Sequence, residues 1–349
     1  TWNESILPEL TKAGGDNFYM FGEVCTRDRN YWYRNTPGLS APFYTWKESK
    51  EYPWSDDPEK NIELTEEEFN DNADIESQPT SDNAFLNGND YHTPDRSKFS
   101  GMNVIDFPMH WNFKNARDAF SVALAGDHSY NDPTWNVTYV DSHDYAPDCA
   151  PEGERFNQDQ KVWAENLNLM FTFRGIPCIY YGSEIEFKKG KNIDPANQKT
   201  TFEESGRAYY GENLEGDVTA TDFGEYTASG KVAETLNHPL AQHVIRLNKI
   251  RRAIPALQKG QYSTEGVSGS GMAFKRGYKD GNVNSFVCVS ITGGATFTGV
   301  PAGKYVDAIT GDTINSDGTL TIPAIEQGNM RVYVLNGTGK IGEDGTYLK

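Results

Sequence analysis

An α/β arrangement of parallel strands and helices, followed by an antiparallel β-sandwich, is what the sequence predicts, on three observations. First, the apolar runs at 18–24, 103–107, 136–141 and 178–181 read as strands and are separated by segments with helical periodicity. Second, the run that buries Val137, Tyr139 and Val140 then releases His143 and Asp144, which puts an imidazole and a carboxylate where a (β/α) barrel builds its active site. Third, short alternating stretches at 286–291 and 331–335, spaced by glycine-rich turns, read as antiparallel strands.

Composition narrows the function. The 349 residues carry 50 Asp+Glu against 32 Lys+Arg, a formal net charge of -18, and phosphate-backbone binding rests on cationic contacts, so nucleic acid is excluded as a partner. No run of about 18 apolar residues occurs, so no membrane span is expected. The cysteines Cys25, Cys149, Cys178 and Cys288 lack metal-site spacing. Cys25 and Cys149 each follow a strand end and can share one face of the barrel; thiols are the default reading against a disulfide there.

Element by element, the opening TWNESILPELTKAGG reads as an amphipathic helix with Ile6, Leu7 and Leu10 on one side and a glycine stop. Residues 18–24 form a continuous apolar and aromatic run, as a buried parallel strand should. The stretch 27–101 is polar, acidic, aromatic and proline-punctuated, far too long for a plain connection, so it is an elaborated loop or subdomain with a short capped helix at 65–69. After the strand at 103–107 comes a helix with Ala116, Ala119, Phe120 and Ala123 at helical spacing. The strand at 136–141 is followed by a helix at 158–173 whose inward set is Trp163, Leu167, Met170 and Phe171. Gly175-Ile176-Pro177 ends that helix before the strand at 178–181. A polar excursion at 186–236 then leads to a closing helix through Val244, Leu247, Ile250 and Ile254. The predicted organisation is a partial barrel at 1–254, a β-sandwich at 255–336 and a glycine-rich tail or linker at 337–349.

Three motifs, in order, carry a resemblance: Glu23 in FYMFGEV, Asp144 in VDSHD, and GIPCIYYGSE at 175–184. Together they resemble the later strands of the α-amylase family of retaining glycoside hydrolases. The resemblance implies the C-terminal half of a (β/α)8 barrel, strands five to eight. The implied activity is retaining, endo-type hydrolysis of α-1,4-glucosidic bonds in starch, glycogen or malto-oligosaccharides. A glucanotransferase of the same family and a non-catalytic glucan-binding fragment are the alternatives. The family's Gly-x-Arg-x-Asp pattern, which carries the nucleophile, occurs nowhere in the chain. The chain is therefore expected to be part of a longer, extracellular or cell-surface enzyme, with the N-terminal half as its partner, and to be inactive alone. Calcium, if used, belongs to that other half; no cofactor or metal is assigned to this chain.

Role by role, the resemblance makes Glu23 the proton donor, and burial in its apolar strand is expected to raise its pKa. Asp144 would hold sugar hydroxyls and favour the oxocarbenium-like ring, with His143 donating to a hydroxyl in the same subsite. Ser142 stands where the family usually has asparagine. Arg155 is taken as a substrate-binding or carboxylate-orienting residue, against an ordinary surface arginine; no chloride site is expected. Trp32 and Tyr33, with Tyr31, Phe43, Tyr44, Trp46, Tyr52 and Trp54, could form glucan subsites or a mini-core within the long loop. The acidic positions Asp71, Asp74 and Asp90 and nearby Asn87 read as solvated turns rather than a calcium loop.

Overall fold

The computed structural model describes residues 2–349 apart from 16–17, 25–30, 34–35, 88–94, 147–152, 195–199 and 223–224, and only the backbone of 31–33 and 36–37. Four short strands, β1 (Phe21–Gly22), β4 (Asn103–Val104), β5 (Val137–Thr138) and β6 (Ile176–Pro177), make a parallel arc. Phe21 pairs with Asn103, Ile105 with Val137, and Val137 with Ile176, all parallel. The intervening hairpin of β2 (Tyr31–Tyr33) and β3 (Thr36–Gly38) lies outside the arc, with Trp32 opposite Pro37.

Helices provide the crossovers. From β4 the chain passes through α3 (Phe107–Trp111) and α4 (Ala116–Gly126), whose first turn is capped by the Asn115 side chain accepting the Asp118 N–H at 2.8 Å. Between β5 and β6 lies α5 (Gln160–Thr172), buried at every position from Trp163 to Thr172 because it is covered on one side by the arc and on the other by the β-rich C-terminal region. The hairpin β7 (Gly216–Asp222) and β8 (Glu225–Gly230) projects into solvent, after which α6 (Lys231–Asn237), α7 (Pro239–Ala253) and α8 (Pro255–Lys259) close the helical layer. No helix among the described residues is long and apolar enough to cross a membrane.

Nine strands follow: β9 (Gln261–Ser263), β10 (Val267–Gly269), β11 (Met272–Asp280), β12 (Val283–Ile291), β13 (Ala295–Thr298), β14 (Gly303–Asp307), β15 (Thr313–Ser316), β16 (Thr319–Ile322) and β17 (Met330–Leu335). They form an antiparallel six-stranded sheet in the order β15-β14-β17-β12-β11-β9 and a three-stranded sheet β10-β13-β16. Strand alternation gives β12 two jobs. Val287, Val289 and Ile291 face the helices, whereas Phe286 and Cys288 join Phe297, Leu320 and Ile322 between the sheets. Two buried arginines bind the layers together. Arg174 meets both Asp127 and Asp106, with Tyr262 of β9 donating to Asp127 at 2.8 Å, and Arg276 of β11 donates to the Leu257 carbonyl at 2.8 Å and to the Phe173 carbonyl.

Five expectations need correction. The opening segment forms a wide turn at Trp2–Ile6 and a helix, α1 (Leu7–Lys12), without a single buried residue, so Ile6, Leu7 and Leu10 do not enter a core. The first strand is not buried: β1 is the edge of the described arc, leaving Phe21 48% exposed. The helix at 65–69 is the middle of α2 (Pro58–Asn72), which starts at an Asp57 cap followed by proline; Thr65 bonds back to the Asn61 carbonyl at 2.8 Å. The last strand lies at Ile176–Pro177, ahead of 178–181, because Gly175 (φ +97°) turns the chain directly into pairing with Thr138. The segment 337–349 is no linker. Leu348 is buried against α7, Arg246 donates to the Ile341 carbonyl at 3.0 Å and the Ile309 carbonyl at 2.6 Å, and Tyr347 donates to Gln160 at 2.8 Å.

Candidate active site

In a parallel sheet the strand ends and following loops share one side, and here that side collects Glu23 after β1, Asp106 after β4, the 141–144 turn after β5, and Tyr180 and Tyr181 after β6. The 141–144 turn is built by Ser142. Its Oγ accepts the Asp144 N–H at 3.2 Å and the Tyr145 N–H at 3.1 Å, so the hydroxyl bends the chain and lifts His143 and Asp144 off the strand. His143 Nε2 lies 3.2 Å from one Asp144 oxygen. Arg207 Nη2 donates to the other at 2.8 Å, while its Nε donates to the His143 carbonyl at 2.5 Å. Asp194 approaches the same guanidinium at 3.5 Å. The Asp144 side chain stays 36% exposed, open to a ligand while held at both oxygens.

Below this cluster Asp141 is buried. Arg155 donates to it from Nε at 2.8 Å and Nη2 at 2.6 Å, and Ser183 Oγ lies at 3.3 Å. Burial pushes the Asp141 carboxyl above its usual range, with Arg155 and then Ser183 pulling it back. This corrects the expectation for Arg155 as a substrate-binding residue. Its side chain is 0% exposed and cannot reach a ligand; it orients a carboxylate at the root of the turn. Arg155 fits only because Gly206 is a glycine: a Cβ there would meet its Cδ at 2.8 Å.

Glu23 also departs from expectation. It is exposed rather than buried, since β1 has no described strand on its outer side. The side chains of Trp32 and Tyr33 lie outside the described residues, as do Cys25, Cys149 and Asp90. The rest of the long loop divides: Phe43, Trp46 and Tyr52 are buried, while Tyr44 and Trp54 are exposed. Asp71 bonds to Lys50 and Tyr52, each at 2.8 Å, and Asp74 caps the Glu76 N–H at 3.1 Å. The described residues contain no group of three or more His, Cys, Asp or Glu poised to hold a metal.

Next to the turn, His110 is buried with its ring stacked on Tyr139 at 4.2 Å, and burial drives its pKa down to about 3, keeping it neutral. Tyr145, Tyr181, Phe202 and Tyr209 are exposed along the same stretch of chain, and Tyr181 packs on Tyr210 at 5.5 Å. Arg207, Asp194, Phe202 and Tyr209 come from the excursion after β6, where no periodicity marks them.

Among curated proteins, the chain is 28% identical over 259 residues to the cyclomaltodextrin glucanotransferase of Geobacillus stearothermophilus, a match covering 70% of this chain and 30% of that protein. It is 24% identical over 270 residues to the cyclomaltodextrin glucanotransferase of Paenibacillus macerans, covering 70% of this chain and 32% of that protein. Over 186 residues it is 26% identical to the β/α-amylase of Paenibacillus polymyxa, covering 50% of this chain and 12% of that protein. Over about 70% of its length the chain is therefore similar to enzymes of the α-amylase family. It spans about 30% of the length of the glucanotransferases it matches. No protein-family model matches it. Solved α-amylase structures overlap it partially: one from Geobacillus thermoleovorans, complexed with acarbose, at 16% identity and TM-score 0.47 over 95% of this chain and 56% of that one. Another, from Anoxybacillus, overlaps at 21% identity and TM-score 0.46 over 70% of this chain and 49% of that one.

Proposed function

We propose that this α-amylase-family chain supplies strands five to eight of a (β/α)8 barrel and acts on α-1,4-glucans by retaining chemistry, Glu23 protonating the leaving oxygen and Asp144 stabilising the oxocarbenium-like ring. The observation that carries this reading is the presentation of Asp144, half-exposed and gripped at both oxygens by His143 and Arg207, at the end of a parallel strand. A carboxylate so held has its lone pairs aimed at one place, as a group that must recognise paired sugar hydroxyls requires. His143 donates to a neighbouring hydroxyl, and Trp32, Tyr33 and the exposed tyrosines offer faces for sugar rings.

Two outcomes share this machinery. Hydrolysis and glucanotransfer use the same carboxylates and differ in whether water or a sugar hydroxyl attacks the covalent intermediate. The glucanotransferase names of several curated relatives favour transfer, and the long aromatic loop offers acceptor subsites.

Retaining chemistry needs a second carboxyl group roughly 5 to 5.5 Å from the acid. The motif-bearing carboxylates of this chain are committed to other roles, so the nucleophile, any calcium and the rest of the barrel come from an N-terminal partner segment, and export from the cell is the setting this reading favours. The chain alone then binds maltoheptaose without cleaving it. Calorimetric titration with maltoheptaose, followed by product analysis on mass-verified material, tests this. Binding weakened by Asp144→Asn supports it, whereas steady cleavage abolished by Glu23→Gln would show that a carboxylate of this chain attacks.

A further inference from the structure

Strand alternation on β11 places Ala273 and Lys275 on the face that meets the three-stranded sheet, and Phe274 and Arg276 on the face toward the helices. A lysine on an interior face is anomalous. Lys275 is 9% exposed, and its ammonium has one recorded partner, the Thr298 carbonyl at 3.5 Å. No carboxylate of the described residues lies within ion-pair distance of it. Directly across on β12 sits Cys288, whose thiol burial pushes up, so no thiolate balances the charge either. With one long protein acceptor, the ammonium has donors left over for whatever fills the space it faces.

The ammonium looks into a cleft of about 520 Å3, within the roughly 300–1,000 Å3 range of small-ligand sites. Phe286, Val300 and Pro301 supply its apolar lining, beside the polar Ser263, Lys275 and Thr298. Its rim carries the exposed carboxylate of Glu265. The rim is held open by Gly266, in the left-handed region at φ +65°, whose carbonyl accepts the Thr298 N–H at 2.8 Å; a Cβ there would meet Thr298 Oγ1 at 2.6 Å. A cation and an anion thus line one cleft, alongside apolar side chains, without forming an ion pair.

The geometry points to a second saccharide site in this cleft, in which a neutral α-glucan ring lies on Phe286, Val300 and Pro301, accepts hydrogen bonds from Lys275 and donates to Glu265. Hydroxyl groups are both acceptors and donors, so a polyol satisfies the two charges together, which an anion or a cation cannot. The glucan class rests on the function proposed above; the site itself needs neither Glu23 nor Asp144.

The test is calorimetric titration of the whole chain with maltoheptaose, alongside Lys275→Met, Glu265→Gln and Asp144→Asn, with thermal melts of each. Lys275→Met keeps the stem and removes an uncompensated charge, so its melting temperature should hold or rise while one class of sites weakens about tenfold or more. Glu265→Gln, at an exposed position, should weaken the same sites and decides the matter if the lysine variant melts low. Asp144→Asn should leave them intact. Unchanged binding in both cleft variants overturns the site, as does a wild-type chain that binds no maltoheptaose or a cleft that binds acetate in its place. If only Asp144→Asn abolishes binding, the arc reading stands and the cleft fails; if only the cleft variants do, the reverse holds.

Discussion

Arg207 reaches Asp144 across 63 positions of chain, its Nη2 donating to the carboxylate at 2.8 Å while its Nε fixes the His143 carbonyl at 2.5 Å. One guanidinium thus immobilises both ends of the dipeptide proposed to hold the sugar. The pair is partly solvated, so Arg207→Met should change stability by less than about 1 kcal/mol. Maltoheptaose affinity should fall roughly two- to tenfold, because Asp144 must then be ordered at binding. Arg207→Lys, which keeps charge but loses the fork, should recover only part of it. Calorimetry and melts on the same samples separate the two effects.

The Arg155–Asp141 pair should behave oppositely. Both side chains are fully buried, so Arg155→Met strands a carboxylate and should cost about 3–5 kcal/mol in denaturant unfolding. Adding Asp141→Asn should return most of that loss. A double variant no better than the single one would show that the cost comes from packing around Gly206 rather than from the charge.

Acid should destabilise the fold through its buried imidazoles. Burial lowers the His110 pKa to about 3 and that of His243 to about 4, while the unfolded value is 6.5. Between those values the unfolded chain binds the proton and the folded one does not, so stability is full above about pH 6.5 and is lost as pH falls. Each histidine contributes a slope approaching about 1.4 kcal/mol per pH unit below its unfolded pKa. His110→Phe, which keeps a ring on Tyr139, should flatten the melting temperature profile between about pH 6 and pH 4 relative to wild type. Identical profiles would mean that His110 titrates normally.

Gly175 is a backbone requirement. At φ +97°, with a Cβ position 2.5 Å from Thr138 Cγ2 and 3.0 Å from the Asn136 carbonyl, Gly175→Ala should destabilise by about 1–3 kcal/mol in urea. Adding Thr138→Ser, which removes the clashing methyl, should recover part of the loss.

Much of this arrangement was legible in the chain, for identifiable reasons. Ser142, His143 and Asp144 follow a β-branched run, so local turn chemistry alone predicts that they leave the strand together. The apolar sets of α4 and α5 appear where periodicity puts them. What escaped depends on long-range partners. Arg207 lies in a polar excursion with no period, and nothing near it in sequence announces Asp144. Arg155 looks like any loop arginine until Asp141 and Gly206 enclose it. The glycine-rich end of the chain hides Ile341, Tyr347 and Leu348, spaced too widely for a pattern yet each anchored to a helix or strand. Glu23 was misjudged because an apolar run implies burial only when strands flank it on both sides.

The double-sided packing of β12 bears on cooperativity. A strand that gives Val287, Val289 and Ile291 to one core and Phe286 and Cys288 to the other is a shared wall, and neither core can lose it and persist. Arg276 adds a lock, since withdrawing β11 would uncover the carbonyls that end α5 and α8. The helical layer and the β-rich region therefore melt together, and a protease that nicks the exposed β7–β8 hairpin leaves two pieces that stay associated until the whole assembly unfolds.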